Sequence, residues 1–82
     1  MLAEEFGIIS DDEVGEAMDS PELIEEYPED RAYPSCLLLG FTTAGRPLHV
    51  VAAYDEVGHE IVVVTVYHPD PDRWEDNRRR KL

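Results

Sequence analysis

The chain has 82 residues, 43% hydrophobic and 32% charged, and its 7 Lys and Arg against 19 Asp and Glu give a formal net charge of −12. That length bounds it to one domain with a small core and a thin stability margin, and the composition excludes disorder along the whole chain. The charge weighs against a nucleic-acid or anionic-membrane coat, and a single cysteine excludes an internal disulfide framework or a cysteine-based zinc cluster.

Residues 1–6 predict a short helical stub ended by Gly7. Ser10 followed by Glu13 is a capping box, with Asp11 and Asp12 at the positive end of the helix dipole. A helix over 11–18 or 11–19 follows, with Val14, Ala17 and Met18 on one side and Pro21 marking its end. Two turns are not stable alone, so this helix must pack on a sheet. Residues 23–27 predict a short polar strand with Leu23, Glu25 and Tyr27 facing one way, and its acids suit a sheet edge. A loop over 28–34 carries Arg31 and Tyr33. Strands over 35–42, 47–55 and 60–67 are rich in Leu, Val and Tyr, joined by glycine-containing turns at 43–46 and 56–59 that force antiparallel neighbours. The expected fold is α+β: one or two short amino-terminal helices followed by a four-stranded antiparallel meander. It forms a single domain over 1–82, made of an acidic helical segment (1–20), the sheet (22–67) and a polar tail (70–82).

The charge is segregated. Residues 1–30 hold twelve of the acids and none of the bases, while the remainder is neutral and ends in Arg78, Arg79, Arg80 and Lys81. This predicts a solvated acidic face and a frayed tail, or an acidic surface that docks on a basic partner. Residues 61–66 and 36–39 are apolar on both faces, where a half-exposed sheet would alternate. One short helix cannot cover both faces, so the cover must be a longer amino-terminal helix, the Trp74 tail or a second subunit; a homodimer is the expectation. No apolar run approaches the about 18 residues of a membrane span. No basic-then-apolar leader opens the chain, so the expected location is cytoplasmic.

Among the histidines, His59 lies in a turn and His68 at a strand end before Pro69. His49 is mid-strand on the face of Val51 and Ala53. If the 43–46 turn closes symmetrically, Thr42 pairs with Pro47 and His49 falls opposite Gly40. Two readings stand for it, a satisfied sheet-face histidine and an acid–base group. The histidines and Cys36 show no metal-ligand spacing, and no glycine-rich phosphate loop occurs, so neither metal nor cofactor is expected. Cys36, among leucines, reads as a small buried hydrophobe. An Arg, a His and a Tyr in one cleft would suit metal-free RNA cleavage: His49 as general acid or base, Arg31 as phosphate clamp, Tyr67 as orienting hydroxyl.

The strings Glu25-Glu26-Tyr27-Pro28, Arg31-Ala32-Tyr33-Pro34-Ser35-Cys36-Leu37-Leu38-Leu39-Gly40, Gly45-Arg46-Pro47-Leu48-His49-Val50-Val51 and Val64-Thr65-Val66-Tyr67-His68-Pro69-Asp70, with Trp74 beyond, carry a resemblance. Over about residues 8–80 the chain resembles a family of small prokaryotic proteins known only as a domain of unknown function, whose members are often encoded beside an MqsA-type zinc-finger antitoxin. That family is similar, distantly, to the RelE and MqsR toxins, compact ribonucleases acting on messenger RNA. The resemblance implies a toxin-type fold, a zinc-finger antitoxin as partner, and an endoribonuclease activity. Family members usually begin with a further helix carrying a histidine and an arginine-containing turn. Residues 1–9 here have neither, which implies a truncated, inactive or dimer-completed version. The leading expectation is a non-catalytic toxin–antitoxin-type interaction module, forming a dimer or an antitoxin complex. The alternative is a metal-free endoribonuclease, with RNA binding disfavoured by net charge.

Overall fold

Long runs of Leu, Val and Ile cut by glycine-bearing turns fold back on one another as strands. The computed structural model describes residues 2–4, 7–29 and 34–82, with side chains from residue 8 onward. Strands β1 (Leu2–Glu4) and β2 (Gly7–Ile9) pair antiparallel and lead into helix α1 (Asp11–Ala17). Strands β3 (Glu22–Tyr27), β4 (Ser35–Phe41), β5 (Pro47–Asp55) and β6 (Glu60–Tyr67) form an antiparallel sheet in the order β3-β4-β5-β6. A last hairpin joins β7 (Trp74–Glu75) and β8 (Arg79–Arg80).

The α+β class with amino-terminal helices is therefore corrected. Among the described residues eight strands stand against one helix of 7 residues, and the fold is mostly sheet. Where the sequence predicts a helical stub, Leu2 pairs with Ile9 and Glu4 with Gly7. Six residues are too few to nucleate a helix alone; pairing with the β-branched Ile8 and Ile9 satisfies the backbone instead. The helix that does form begins at the capping box: Ser10 Oγ accepts from the Glu13 amide, and Glu13 Oε1 accepts from the Ser10 amide, each at 3.2 Å.

Register assigns the faces. Leu48, Val50, Ala52 and Val66 lie on one face, and with Ile9 and Ala17 they form the buried cluster on which Val14, Met18 and Leu38 pack. This is the helix side. Gly40 lets α1 sit down on β4, because a Cβ there would land against the backbone carbonyl of Ala17. Two polar ties hold α1 to the β4–β5 turn: Thr43 donates to Glu16 Oε1 through both its amide (3.0 Å) and its hydroxyl (3.1 Å), and Arg46 Nη1 lies 3.3 Å from Glu13 Oε2.

Leu37, Leu39 and His49 lie on the opposite face and are also fully buried. Their cover is residues 70–82, including β7 and β8, with Trp74 packed edge-on against the His49 ring at 4.5 Å between centroids. The carboxy-terminal segment is thus a strap laid across the sheet and not a frayed tail.

Two bulges alter the expected alternation. Leu23 pairs with Leu38 but Glu25 with Leu37, so Ile24 is the extra residue, and Leu23 lies on the face opposite to Glu25 and Tyr27. On β6, Thr65 pairs with Val51 and Val63 with Ala52, leaving Val64 extra. The β4–β5 turn closes one residue tighter than the sequence suggests: the Thr42 amide donates to the Arg46 carbonyl, and Phe41 pairs with Pro47. His49 accordingly faces Leu39, not Gly40.

Candidate functional site

His49 is the centre of a buried polar node. Its Nε2 lies 2.6 Å from the Asn77 carbonyl oxygen, which can only accept, so Nε2 carries the proton. Nδ1 then bears the lone pair and accepts from the Tyr67 hydroxyl at 3.3 Å. Tyr67 is the direct cross-strand neighbour of His49 on β6, and its ring meets the imidazole at 71°. Burial holds His49 below the usual histidine range; the Asn77 bond and the Glu25 charge pull the other way. The imidazole is neutral at pH 7, with both nitrogens engaged and no exposed surface.

The local sequence explains how Asn77 reaches this ring. Asp76 and Asn77 both adopt positive φ (54° and 61°), and the Arg78 amide donates to the Glu75 carbonyl at 3.0 Å. That is the geometry of a type I′ turn, which Asp and Asn tolerate better than other non-glycine residues. The turn aims the Asn77 carbonyl inward. Charged pairs then fasten the strap along β3. Arg80 forks onto Glu25 (Nε to Oε2 2.8 Å, Nη2 to Oε1 3.0 Å), Tyr27 donates to the same carboxylate at 2.6 Å, and Arg78 Nε reaches Glu22 at 2.8 Å. The Arg80 guanidinium also lies 4.7 Å above the Trp74 ring. The Arg80 contact holds the Glu25 carboxyl below its ordinary range, and Glu25 raises Arg80 in turn. Part of the amino-terminal acidic excess is thereby met by the chain's own basic end.

Of the residues the sequence singles out, His49 and Tyr67 are brought together, while Arg31 lies outside the described residues. In this arrangement the pair ties β5, β6 and the strap to one another, and both ring nitrogens of His49 are engaged. Sequence reasoning missed a second pair. Arg46 Nη2 lies 2.8 Å from His68 Nε2, and the other ring nitrogen, Nδ1, lies 3.4 Å from the Pro47 carbonyl. These two share the exposed end of the sheet beside Glu13. The tight closure of the β4–β5 turn creates the pair, and no spacing rule in the sequence announces it. The missed strap had a signal: Asp76-Asn77 between two short flanking pairs reads as a hairpin turn.

Cys36 is half-buried, and burial pushes its thiol up, away from nucleophile behaviour. Among the described residues no three His, Cys, Asp or Glu side chains converge as a metal would require, and no helix is long and apolar enough to cross a membrane.

The feature least accounted for by the chain itself is the β6 edge. No strand pairs with its outer side among the described residues, yet Ile61 is 62% and Val64 61% exposed, with Val62 and Val63 exposed between them. The other edge, β3, carries Glu22, Glu25 and Glu26, the charged guard of an edge meant to stay single.

These features define a small antiparallel-sheet protein with one guarded edge, one apolar edge and a strapped histidine face. Residues 3–68 match the family model described as Domain of unknown function (DUF4258), and the chain belongs to that family. The strap, residues 70–82, lies beyond the matched span. No curated protein and no solved structure matches the chain.

Proposed function

We propose that the protein is a non-catalytic interaction module of the toxin–antitoxin type, in which another polypeptide completes the sheet along β6. The observation that carries this reading is the exposed, charge-free stretch from Ile61 to Val64 on an edge that no described strand pairs. An open strand edge offers a row of main-chain donors and acceptors, and flanking apolar side chains supply area when a strand is added. The buried, doubly engaged His49 supports the non-catalytic side of the reading, since a general base must reach the proton it removes. A zinc-finger antitoxin is the heterologous partner that the family resemblance suggests. Co-expression with such a protein encoded nearby should yield a complex that Val64→Lys abolishes; purified protein should leave RNA intact in chelator.

A second reading, a metal-free endoribonuclease, is favoured by one observation: the Arg46–His68 pair stands at the surface, where a guanidinium and an imidazole could meet a phosphodiester. RNA cleavage in chelator that is lost on His68→Ala would select it over the module.

A further inference from the structure

The strap is attached to the sheet in a way that lets it lift as a unit. Among the described residues β7 and β8 pair with each other alone, in a two-stranded sheet separate from β3-β4-β5-β6. The main-chain bonds of the segment stay inside it: the Arg73 and Trp74 amides donate to the Asp70 carbonyl, the Arg78 amide to Glu75 and the Lys81 amide to Arg73. Side chains therefore fasten it down. Along β3 these are the partly exposed pairs Arg78–Glu22 and Arg80–Glu25. Over β5 they are the Trp74 ring and the bond from His49 Nε2 to the Asn77 carbonyl. Such a cover can open without breaking the ladder beneath it.

The group sealed under this cover is ionisable. His49 has no exposed surface, and a second proton on its ring would place a charge where no counter-charge is free. Leu39 faces it from β4, the Tyr67 hydroxyl from β6, and the Trp74 ring and Asn77 carbonyl from the strap. Glu25 of β3 is the nearby carboxylate, and it is already forked by Arg80 and bonded by Tyr27. Burial is the largest influence on the imidazole and favours its neutral form; the Asn77 bond and the Glu25 charge oppose burial, and the Arg80 charge adds to it. We propose that the strap is an acid-sensitive cover: protonation of His49 lifts residues 70–82 off the sheet as one piece, leaving the four strands and α1 folded and baring Leu37, Leu39 and Trp74 to water. In the lifted state the hydrated ring titrates at its ordinary 6.5, while the covered ring takes its proton only at lower pH. Opening therefore grows as the pH falls below 6.5, by at most roughly tenfold per pH unit, the limit for one proton. The Glu25 carboxyl is held below 4.5, chiefly by Arg80, so that pair keeps its charges across the window.

Amide exchange of the purified chain, with the intrinsic rate at each pH divided out, reads the opening. From pH 7 to 5.5 the protection of the Arg78 and Lys81 amides should fall severalfold. It should also stay below that of the β4 and β5 amides and ignore urea at concentrations short of the unfolding midpoint, since a local opening exposes little surface. His49→Gln keeps a donor and an acceptor without a titrating ring and should abolish the pH response. His68→Gln, at the root of the strap, should leave that response in place. In the unmodified protein the His49 ring protons, followed by nuclear magnetic resonance, should titrate below 6.5, a readout that stands whether or not His49→Gln folds. Strap amides as protected as those of β4 and β5 would overturn the proposal, as would protection that does not change with pH. So would a response that survives His49→Gln or disappears in His68→Gln, and so would a His49 ring that titrates at 6.5 or above. None of these readouts involves the β6 edge, so the fate of the strap and that of the interaction-module reading are decided separately.

Discussion

His49 Nε2 lies 2.6 Å from the carbonyl oxygen of Asn77, twenty-eight positions away, so the first half of the inner strand β5 is closed by the turn of the carboxy-terminal strap. This bond and the Trp74 ring packed on the same imidazole make the strap part of the core. The paired charges along β3 are mostly exposed and contribute less. Exposed ion pairs are worth about 0–1 kcal/mol each after solvent screening.

Trp74→Ala should therefore cost about 3–5 kcal/mol, as removal of a buried Trp does, and release residues 70–82. Arg80→Gln should cost about 1 kcal/mol or less, and that loss should shrink in high salt. Urea unfolding followed by circular dichroism measures both. Equal losses for the two variants would mean that the charges, not the ring, hold the strap.

The pH dependence follows from the same node. Burial lowers the His49 pKa from the ordinary 6.5, so between 6.5 and the folded value the unfolded chain binds more protons. Stability is then fully present above pH 6.5 and falls as the pH drops through that window. Glu25, lowered chiefly by Arg80, and Glu13, lowered chiefly by the Ser10 amide, add a separate loss below pH 4.5. Urea midpoints read by the fluorescence of the single Trp should decline from pH 7 to 5.5, and His49→Gln should flatten that segment. An unchanged slope in His49→Gln would remove His49 as its source.

Two glycines should respond with opposite sign. Gly40→Ala would drive a Cβ to 2.8 Å from Ala17 Cα as well as against its carbonyl, for a loss of about 1–3 kcal/mol. Gly15 is on α1 with nothing within 4 Å of an added Cβ, so Gly15→Ala should gain about 0.5–1 kcal/mol. Thermal melts of the pair compare them directly, and a neutral Gly40→Ala would show that α1 sits farther from β4.

Much of the sheet was legible because its signals are local. The runs at 35–41, 47–55 and 60–67 and the Gly45 turn sit where hydrophobicity and turn chemistry put them. The Ser10–Glu13 box marked the start of α1 for the same reason. What escaped was long-range. Leu2–Glu4 formed a strand because Ile8 and Ile9 offered a partner, and the His49 register moved because the Thr42 amide closed on Arg46 one residue early. The two-sided apolar strands called for covers on both faces; α1 and the strap supply them over β4 and β5, while Ile61, Val62, Val63 and Val64 of β6 stay exposed. The Arg46–His68 pair arises only when residues twenty-two apart are brought together by that turn, so nothing local foretold it.

Amide hydrogen exchange along β6 tests the interaction-edge account most directly, since the amides pointing away from β5 have no partner strand within the described chain. The expected result is protection of these outward amides that rises with protein concentration or added zinc-finger partner and vanishes in Val64→Lys. Exchange at the rate of an open edge under every one of those conditions would contradict it.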